Sequence, residues 1–339
     1  MKDNVIDKRI ADLMIKCGFG TLICPIEPVS GGFMHRMYKV KTDSGIYAVK
    51  HLNPEVMRRE GVHDNYERAE KIESLLEKED IPIVPALAVH GKKMQNIDES
   101  YFYIFRWQDG NITGWNHISK EKSTTVGNIL GRMHAIAPRN IPHEEPELSN
   151  IPWQKYVQWA EDEKNEIASV LSDNLQLLIN AEKELNTARA SLPDILCISN
   201  GDMDPKNVMW DKGTPWVIDL ECLDYGNPIS HALQLALQWS GITTCNMDIE
   251  KMTAFFDGYL DAYDNGFRAY SSVFGVAYTW VEWLEYSIQR SLGTCIDEAE
   301  QSLGISEVRN TIRRISYIQS METEIRKALD SRLPDMKSR

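Results

Sequence analysis

Residues 198–221 read ISNGDMDPKNVMWDKGTPWVIDLE. They set Asp202, Asn207 and Asp219 within one short span, and an apolar run, Trp216-Val217-Ile218, leads into the last of them. Gly201 and Pro205 make the first part an extended loop. Val208-Met209-Trp210 and Trp216-Val217-Ile218 then have the texture of two short strands around Asp211-Lys212-Gly213, which is hairpin-turn chemistry. A hairpin that returns the chain beside itself brings Asp219 close to Asn207, with the Asp202 carboxylate near both.

Such a trio suits phosphoryl transfer. Mg²⁺ prefers oxygen ligands and usually takes only one or two of them from protein. Asn207 and Asp219 can supply those, and Asp202 can accept the proton of an attacking hydroxyl. An Asp-x-x-x-x-Asn loop followed by a strand that ends in a metal-binding Asp is the catalytic-loop arrangement of kinases.

Outward from this segment, the two halves of the chain differ. VIDKRIADLMIKCGF (5–19) has apolar residues at helical spacing, closed by Gly18 and Gly20. In VSGGFMHRMYKVKTDSGIYAVKHL (29–52), two antiparallel strands flank the turn Asp43-Ser44-Gly45, and the second strand ends at Lys50. A loop containing Ser30-Gly31-Gly32 precedes them, and from such a strand Lys50 can reach the α- and β-phosphates of a nucleotide. YERAEKIESLLEKED (66–80) is a helix that stops before Ile81-Pro82. Its Glu70 is the first choice to hold the Lys50 ammonium, with Glu67 one turn earlier in reserve. PALAVH (85–90) and SYFYIFRW (100–107) read as further strands. Residues 1–107 therefore form a mixed lobe of antiparallel sheet and helix, and 108–339 form a mainly helical one. The fold class is α+β and bilobal.

Composition narrows the partners. The net charge is −13. Residues 1–107 balance their charges, so the whole excess falls in the second part. That disfavours nucleic acid and anionic membranes and is compatible with a cationic substrate. Six cysteines are scattered without a CxxC pair, which fits a reducing cytoplasm and argues against a zinc site or a disulfide scaffold. There is no apolar stretch of membrane-spanning length and no leader pattern, so the expected location is the cytoplasm.

Several motifs resemble the aminoglycoside phosphotransferase/choline kinase family, which shares the protein-kinase-like fold. NGDMDPKNVMW (200–210) resembles its HGDLHPGN-type loop, and VIDLECLDYGNP (217–228) resembles its IDWE/IDFE segment. NILGRMHAI (128–136) is similar to the LGRLLARLH-type helix. The resemblance implies a kinase using ATP (or GTP) and Mg²⁺ to phosphorylate a hydroxyl of a small molecule. It makes Asp202 the catalytic base, Asn207 and Asp219 the metal ligands, and Lys50 with Glu70 the phosphate-positioning pair. Phe105, Arg106 and Trp107 fall at the hinge that meets the nucleotide base. Glu221 falls where the family commonly has an acidic residue, with a structural or acceptor-binding role. There are departures: Asn200 replaces the histidine two residues before the base, and His231 stands about where an Asp is usual. An APE-type activation segment is missing, which argues against a protein kinase.

The aromatic-rich helix in YTWVEWLEYSIQRSLG (278–293) puts Glu282, Glu285 and Tyr286 within two turns. Facing a cleft, they would hold an amino sugar or a quaternary ammonium by charge and cation–π contact. Alternatively, Trp280, Trp283 and Tyr286 are core and the glutamates face solvent. The favoured acceptor is an aminoglycoside-like amino sugar, with choline, another amino alcohol or a sugar close behind. A nucleotide-binding pseudokinase scaffold is the reading from a different class.

Overall fold

The computed structural model describes residues 2–29, 35–136, 139–140, 147–295 and 297–332. Ser30, Gly31 and Gly32 lie outside the described residues. In chain order the elements are α1 (Lys2–Lys16), β1 (Glu27–Val29), β2 (Arg36–Thr42), β3 (Gly45–His51), α2 (Pro54–Met57), α3 (Val62–Lys78), β4 (Gln95–Ile97), β5 (Ser100–Arg106) and β6 (Asn111–Ile112). There follow α4 (Lys120–Ala135), β7 (Arg139–Asn140), α5 (Trp153–Asp162), α6 (Ala168–Asp173), α7 (Leu175–Arg189) and β8 (Ile195–Asn200). The remainder is β9 (Val208–Asp211), β10 (Thr214–Val217), β11 (Leu223–Gly226), α8 (Pro228–Gln238), α9 (Ile249–Ala262), α10 (Trp280–Ser291) and α11 (Glu298–Arg332). Two compact units result: 1–112 with 207–224, and 113–206 with 225–339. The segment 207–224 follows the expected boundary at 107 by a hundred residues of sequence, yet it packs with the first unit.

The first unit is built on a five-stranded antiparallel sheet in the order β1-β2-β3-β5-β4. Asp43-Ser44 closes the β2–β3 hairpin, with Thr42 opposite Gly45, and Lys50 pairs with Met37 and Tyr103 on its two sides. The apolar face of α1 (Ile6, Ile10, Leu13, Met14) packs on Val40, Val49, Phe102 and Ile104 of the sheet. Burying each such side chain contributes roughly 1.5–3 kcal/mol. A second cluster joins α2 and the start of α3 to Tyr103 and Ala86.

PALAVH is not a strand. Only isolated bridges form there, Ala86 with Phe105 and Val89 with Lys92. Pro82 and Pro85 lack the N–H a ladder needs, so the segment threads between partners: Val84 N–H donates to Val217 and Leu87 N–H to Ile104. The first of these bonds ties the segment to β10 and the second ties it to β5.

The quoted hairpin is one residue tighter than its turn residues suggest. Asp211 pairs with Thr214, leaving Lys212-Gly213 as a two-residue turn, both at positive φ (48° and 90°). That is the twist-matched turn for which glycine is favoured. β6 adds a third strand on β9.

In the second unit α4 crosses α9 at very close range. A Cβ on Gly127 would stand 2.0 Å from the Phe255 carbonyl oxygen, and one on Gly258 would stand 1.9 Å from that of Thr124. Trp239, Phe255, Phe256, Tyr259 and Tyr270 are fully buried there. The stretch 152–190 is divided into the three helices α5, α6 and α7. The break between α5 and α6 falls at Lys164, whose φ of 51° no helix accommodates.

Candidate active site

Lys50 points from the edge of β3 into a charged cluster inside the first unit. Its ammonium lies 2.8 Å from Asp219 Oδ1 and also contacts Glu221 Oε1. Asp219 lies two residues beyond the end of β10 and takes a left-handed backbone (φ 59°, ψ 66°), rare for a non-glycine residue. The backbone of Asn207 accepts from Ile218 N–H at 2.9 Å, continuing the Val208–Val217 register. The hairpin thus sets Asn207 opposite the residue just before Asp219. The Asn207 side chain is buried.

Glu221 is half-buried between Lys50 and His35. Its other oxygen is 3.1 Å from His35 Nε2. Asn53 N–H donates to His35 Nδ1 at 2.9 Å, so the ring proton sits on Nε2 and the neutral imidazole donates to the carboxylate. Burial pushes Glu221 up, but the Lys50 charge and the His35 hydrogen bond outweigh it and hold the carboxyl below its usual range. Burial likewise pulls Lys50 down, and Glu221 and Asp219 more than offset it. Burial raises the Tyr66 phenol, with Glu221 and Asp219 adding to the shift.

The expected Lys50–Glu70 pair is not formed. Glu70 Oε1 accepts from Met94 N–H at 3.0 Å and from the Tyr103 hydroxyl at 2.8 Å. Glu67, the reserve, pairs with Lys71 at 2.7 Å on the exposed face of α3. Sheet partners one strand away satisfy Glu70, and the position of the lysine tip is set by side chains 169 or more residues along the chain. Lys50, Glu70, Tyr66, Tyr103, Phe105 and Glu221 nevertheless line one small cavity of about 20 Å³. At the expected hinge, Phe105 pairs with Ala48. Trp107 donates its backbone N–H to Ile46, and the Lys39 ammonium lies over its ring at 4.0 Å.

Asp202 belongs to the second unit, in the loop after β8. Asn200, the stand-in for the expected histidine, accepts the Asp202 N–H on Oδ1 at 3.1 Å. Trp239 Nε1 donates to the Met203 carbonyl at 3.0 Å and pins the loop from below. Lys206 bridges Asp202 Oδ1 (3.3 Å) and Asp204 Oδ2 (3.2 Å). Burial raises the Asp204 carboxyl to about 6, against the Lys206 charge, with Asp202 adding to the rise. Ser199, on β8, is bonded by His231 Nδ1 and lies 3.4 Å from His134 Nε2. His134 Nδ1 is 2.9 Å from the Tyr259 hydroxyl. Burial holds His231 down at about 4 and His134 well below its ordinary value. His35 and Lys206 escaped sequence reasoning, although Lys206 sits inside the decisive loop and His35 directly follows the glycine-containing stretch.

The acceptor candidates on α10 have partners of their own. Both Glu282 oxygens receive Arg189, at 2.6 and 2.9 Å. Glu285 accepts from the Tyr156 hydroxyl at 2.9 Å. Tyr286 leans on Trp283 and carries the Arg290 guanidinium 4.0 Å above its ring. Trp283 is 40% exposed, so it is not core. A cationic acceptor here would have to compete with Arg189 and Arg290.

Asp219 and Asn207, the expected metal ligands, carry the oxygen donors that a hard divalent ion prefers. Asp219 is half-exposed with one oxygen on Lys50, and Asn207 stands at the same hairpin end, its backbone carbonyl bonded by Ile218 N–H. Among the described residues no group of three or more His, Cys, Asp or Glu could hold a metal ion, so any ion held here would take further ligands from a bound molecule or water.

Fold and site together define the class. Residues 25–284 match the model of the phosphotransferase enzyme family, and the chain belongs to that family. It is a phosphotransferase, with the family's kinase-like arrangement of an antiparallel sheet lobe and a helical part. A spectinomycin phosphotransferase solved with ADP and spectinomycin is similar at TM-score 0.63 and 14% identity, over 95% of this chain and 98% of that one. A microcompartment-associated aminopropanol kinase gives 0.62 and 13%, over 93% and 98%. The ethanolamine kinase of Plasmodium vivax gives 0.57 and 16%, over 86% and 83%. A comparison with curated protein sequences found no match.

Proposed function

We propose that this phosphotransferase is a nucleotide-dependent small-molecule kinase that moves the γ-phosphoryl group of ATP (or GTP) to a hydroxyl of a small, cationic acceptor. The supporting observation is Lys50, buried and ion-paired to Asp219 beside Asn207, within a chain of this family. In this reading residues 1–107 bind the nucleotide, with Phe105 and Trp107 at the base and Ser30, Gly31 and Gly32 at the phosphates. Lys50 neutralises charge on the α- and β-phosphates. Mg²⁺, held by Asn207 and Asp219, would supply charge neutralisation on the nucleotide oxygens. Asp202 accepts the acceptor's hydroxyl proton as that oxygen bonds to the γ-phosphorus, and the bond from phosphorus to the leaving nucleoside diphosphate breaks. Lys206, 3.3 Å from Asp202 Oδ1, places a positive charge beside that carboxylate.

An amino sugar is the favoured acceptor, because the second part of the chain carries the acidic excess and related folds are named for aminoglycoside-type substrates. An amino alcohol is supported by the aminopropanol and ethanolamine kinases of the same fold. The expected location is the cytoplasm; no described helix is long and apolar enough to cross a membrane. The test is a panel of amino sugars, amino alcohols and uncharged sugars, each scored for acceptor-stimulated ADP or GDP release. Stimulation by a cationic member and not by its deaminated analogue is expected. Stimulation by none, with Mg²⁺-nucleotide bound, would favour a scaffold.

A further inference from the structure

We propose that the carboxylate that positions Lys50 for the nucleotide is Glu221, clamped by His35, rather than a glutamate of α3; this rests on the nucleotide-binding reading above. The Lys50 ammonium meets two carboxylates that differ in what else they do. Asp219 is 39% exposed with one oxygen on Lys50. Glu221 is 18% exposed, and its two oxygens meet Lys50 and His35. His35 is itself buried, and the Asn53 N–H fixes its tautomer. The clamp therefore sets the Lys50 cation against one oxygen and the His35 Nε2 donor against the other.

The α3 glutamates are engaged elsewhere. Glu70 braces β4 and β5 through Met94 and Tyr103, and Glu67 pairs with Lys71. A lysine held by Asp219 alone would lose its partner whenever Asp219 turned to another charge. A lysine held also by Glu221 keeps one in both situations, so its ammonium stays aimed without paying ordering entropy at each binding event. Glu221 is thus a positioning residue, acting on nucleotide through Lys50.

The test is a double-mutant cycle on the full chain, read as the ADP dissociation constant in EDTA and again in Mg²⁺, with melting curves to verify folding. Lys50→Met and Glu221→Gln should each weaken ADP by roughly tenfold even in EDTA, and the double variant should bind no worse than Lys50→Met, since coupled neighbours are non-additive. Glu221→Asp should recover part of the loss. His35→Ala, which leaves both charges in place, should weaken ADP by a smaller factor and have no effect in the Lys50→Met background. It carries the test if Glu221→Gln does not fold. Additive losses, or a Glu221→Gln defect confined to Mg²⁺, would overturn the assignment by making Glu221 act on its own or on the metal. A wild-type chain that binds no ADP in either buffer would instead strike the nucleotide reading itself.

Discussion

The proposed reaction gives Asp219 and Asp202 different duties, and single substitutions separate them. Removing the Asp219 carboxylate takes away the proposed metal ligand and one of the two anions on Lys50. Asp219→Ala is therefore expected to lose turnover and Mg²⁺-dependent nucleotide affinity together. Asp202→Asn keeps the shape of the loop but cannot accept a proton. It should bind nucleotide normally and lose about 10²–10⁴-fold in kcat; equal nucleotide affinity of wild type and Asp219→Ala in Mg²⁺ would contradict the metal assignment. The buried histidines behind the loop make a separate statement about pH. His231 titrates near 6.5 when unfolded and is held at about 4 when folded, so between those values the unfolded chain binds the extra proton. The contribution of the neutral ring is fully present above 6.5 and is lost as pH falls towards 4. His231→Gln should flatten the decline of Tm over that window, as measured by thermal melts at stepped pH.

At the scale of elements, α3 is fastened to the sheet by polar rather than apolar contacts on one side. Glu73 is buried and accepts from Ala86 N–H (2.7 Å) and Lys93 Nζ (2.6 Å), and Lys93 also reaches Glu77 (2.9 Å). Burial pushes Glu73 up in spite of Lys93, so the pair is held at a cost. Removing one partner leaves a buried charge: Lys93→Met is expected to destabilise by about 3–5 kcal/mol, whereas Lys93→Met with Glu73→Leu should recover much of it. Urea midpoints of the three proteins check this. The helix itself was legible from its apolar spacing, and so was the β9–β10 hairpin from Lys212-Gly213. The strand read into PALAVH was not real, because alternation is a local signal and the two prolines around it veto a ladder. The break at Lys164 is not legible in the sequence either, since nothing in its composition separates it from an ordinary helical lysine.

On the scale of the molecule, the charge is lopsided: the whole of the −13 excess lies beyond residue 107. Nucleotide binding must work against that field through local cations, Lys50 among them, while a cationic acceptor would be drawn by it. Raising ionic strength from about 0.05 to 0.3 M shortens the screening length about 2.5-fold, from about 14 to about 6 Å. The KM of a polyamine acceptor should therefore rise with salt, and that of an uncharged sugar should not; initial-rate measurements at fixed Mg²⁺-nucleotide decide it. An acceptor whose KM ignores salt would remove the electrostatic reason for favouring amino sugars.

Sequence by itself determined the elements and the chemistry on offer. Periodicity, turn residues and an Asp-x-x-x-x-Asn loop ahead of a strand-borne Asp are local patterns, fixed by backbone geometry within a few residues. Only the tertiary structure decided who partners whom. Lys50 has several glutamates within reach by sequence argument, yet it takes Glu221 and Asp219, because a side chain in a low-dielectric interior settles on whichever opposite charge the packing delivers to its tip. Packing likewise delivers Tyr103 to Glu70, and at the surface Arg189 to Glu282. Such pairings join residues far apart in the chain, and no spacing along it encodes them.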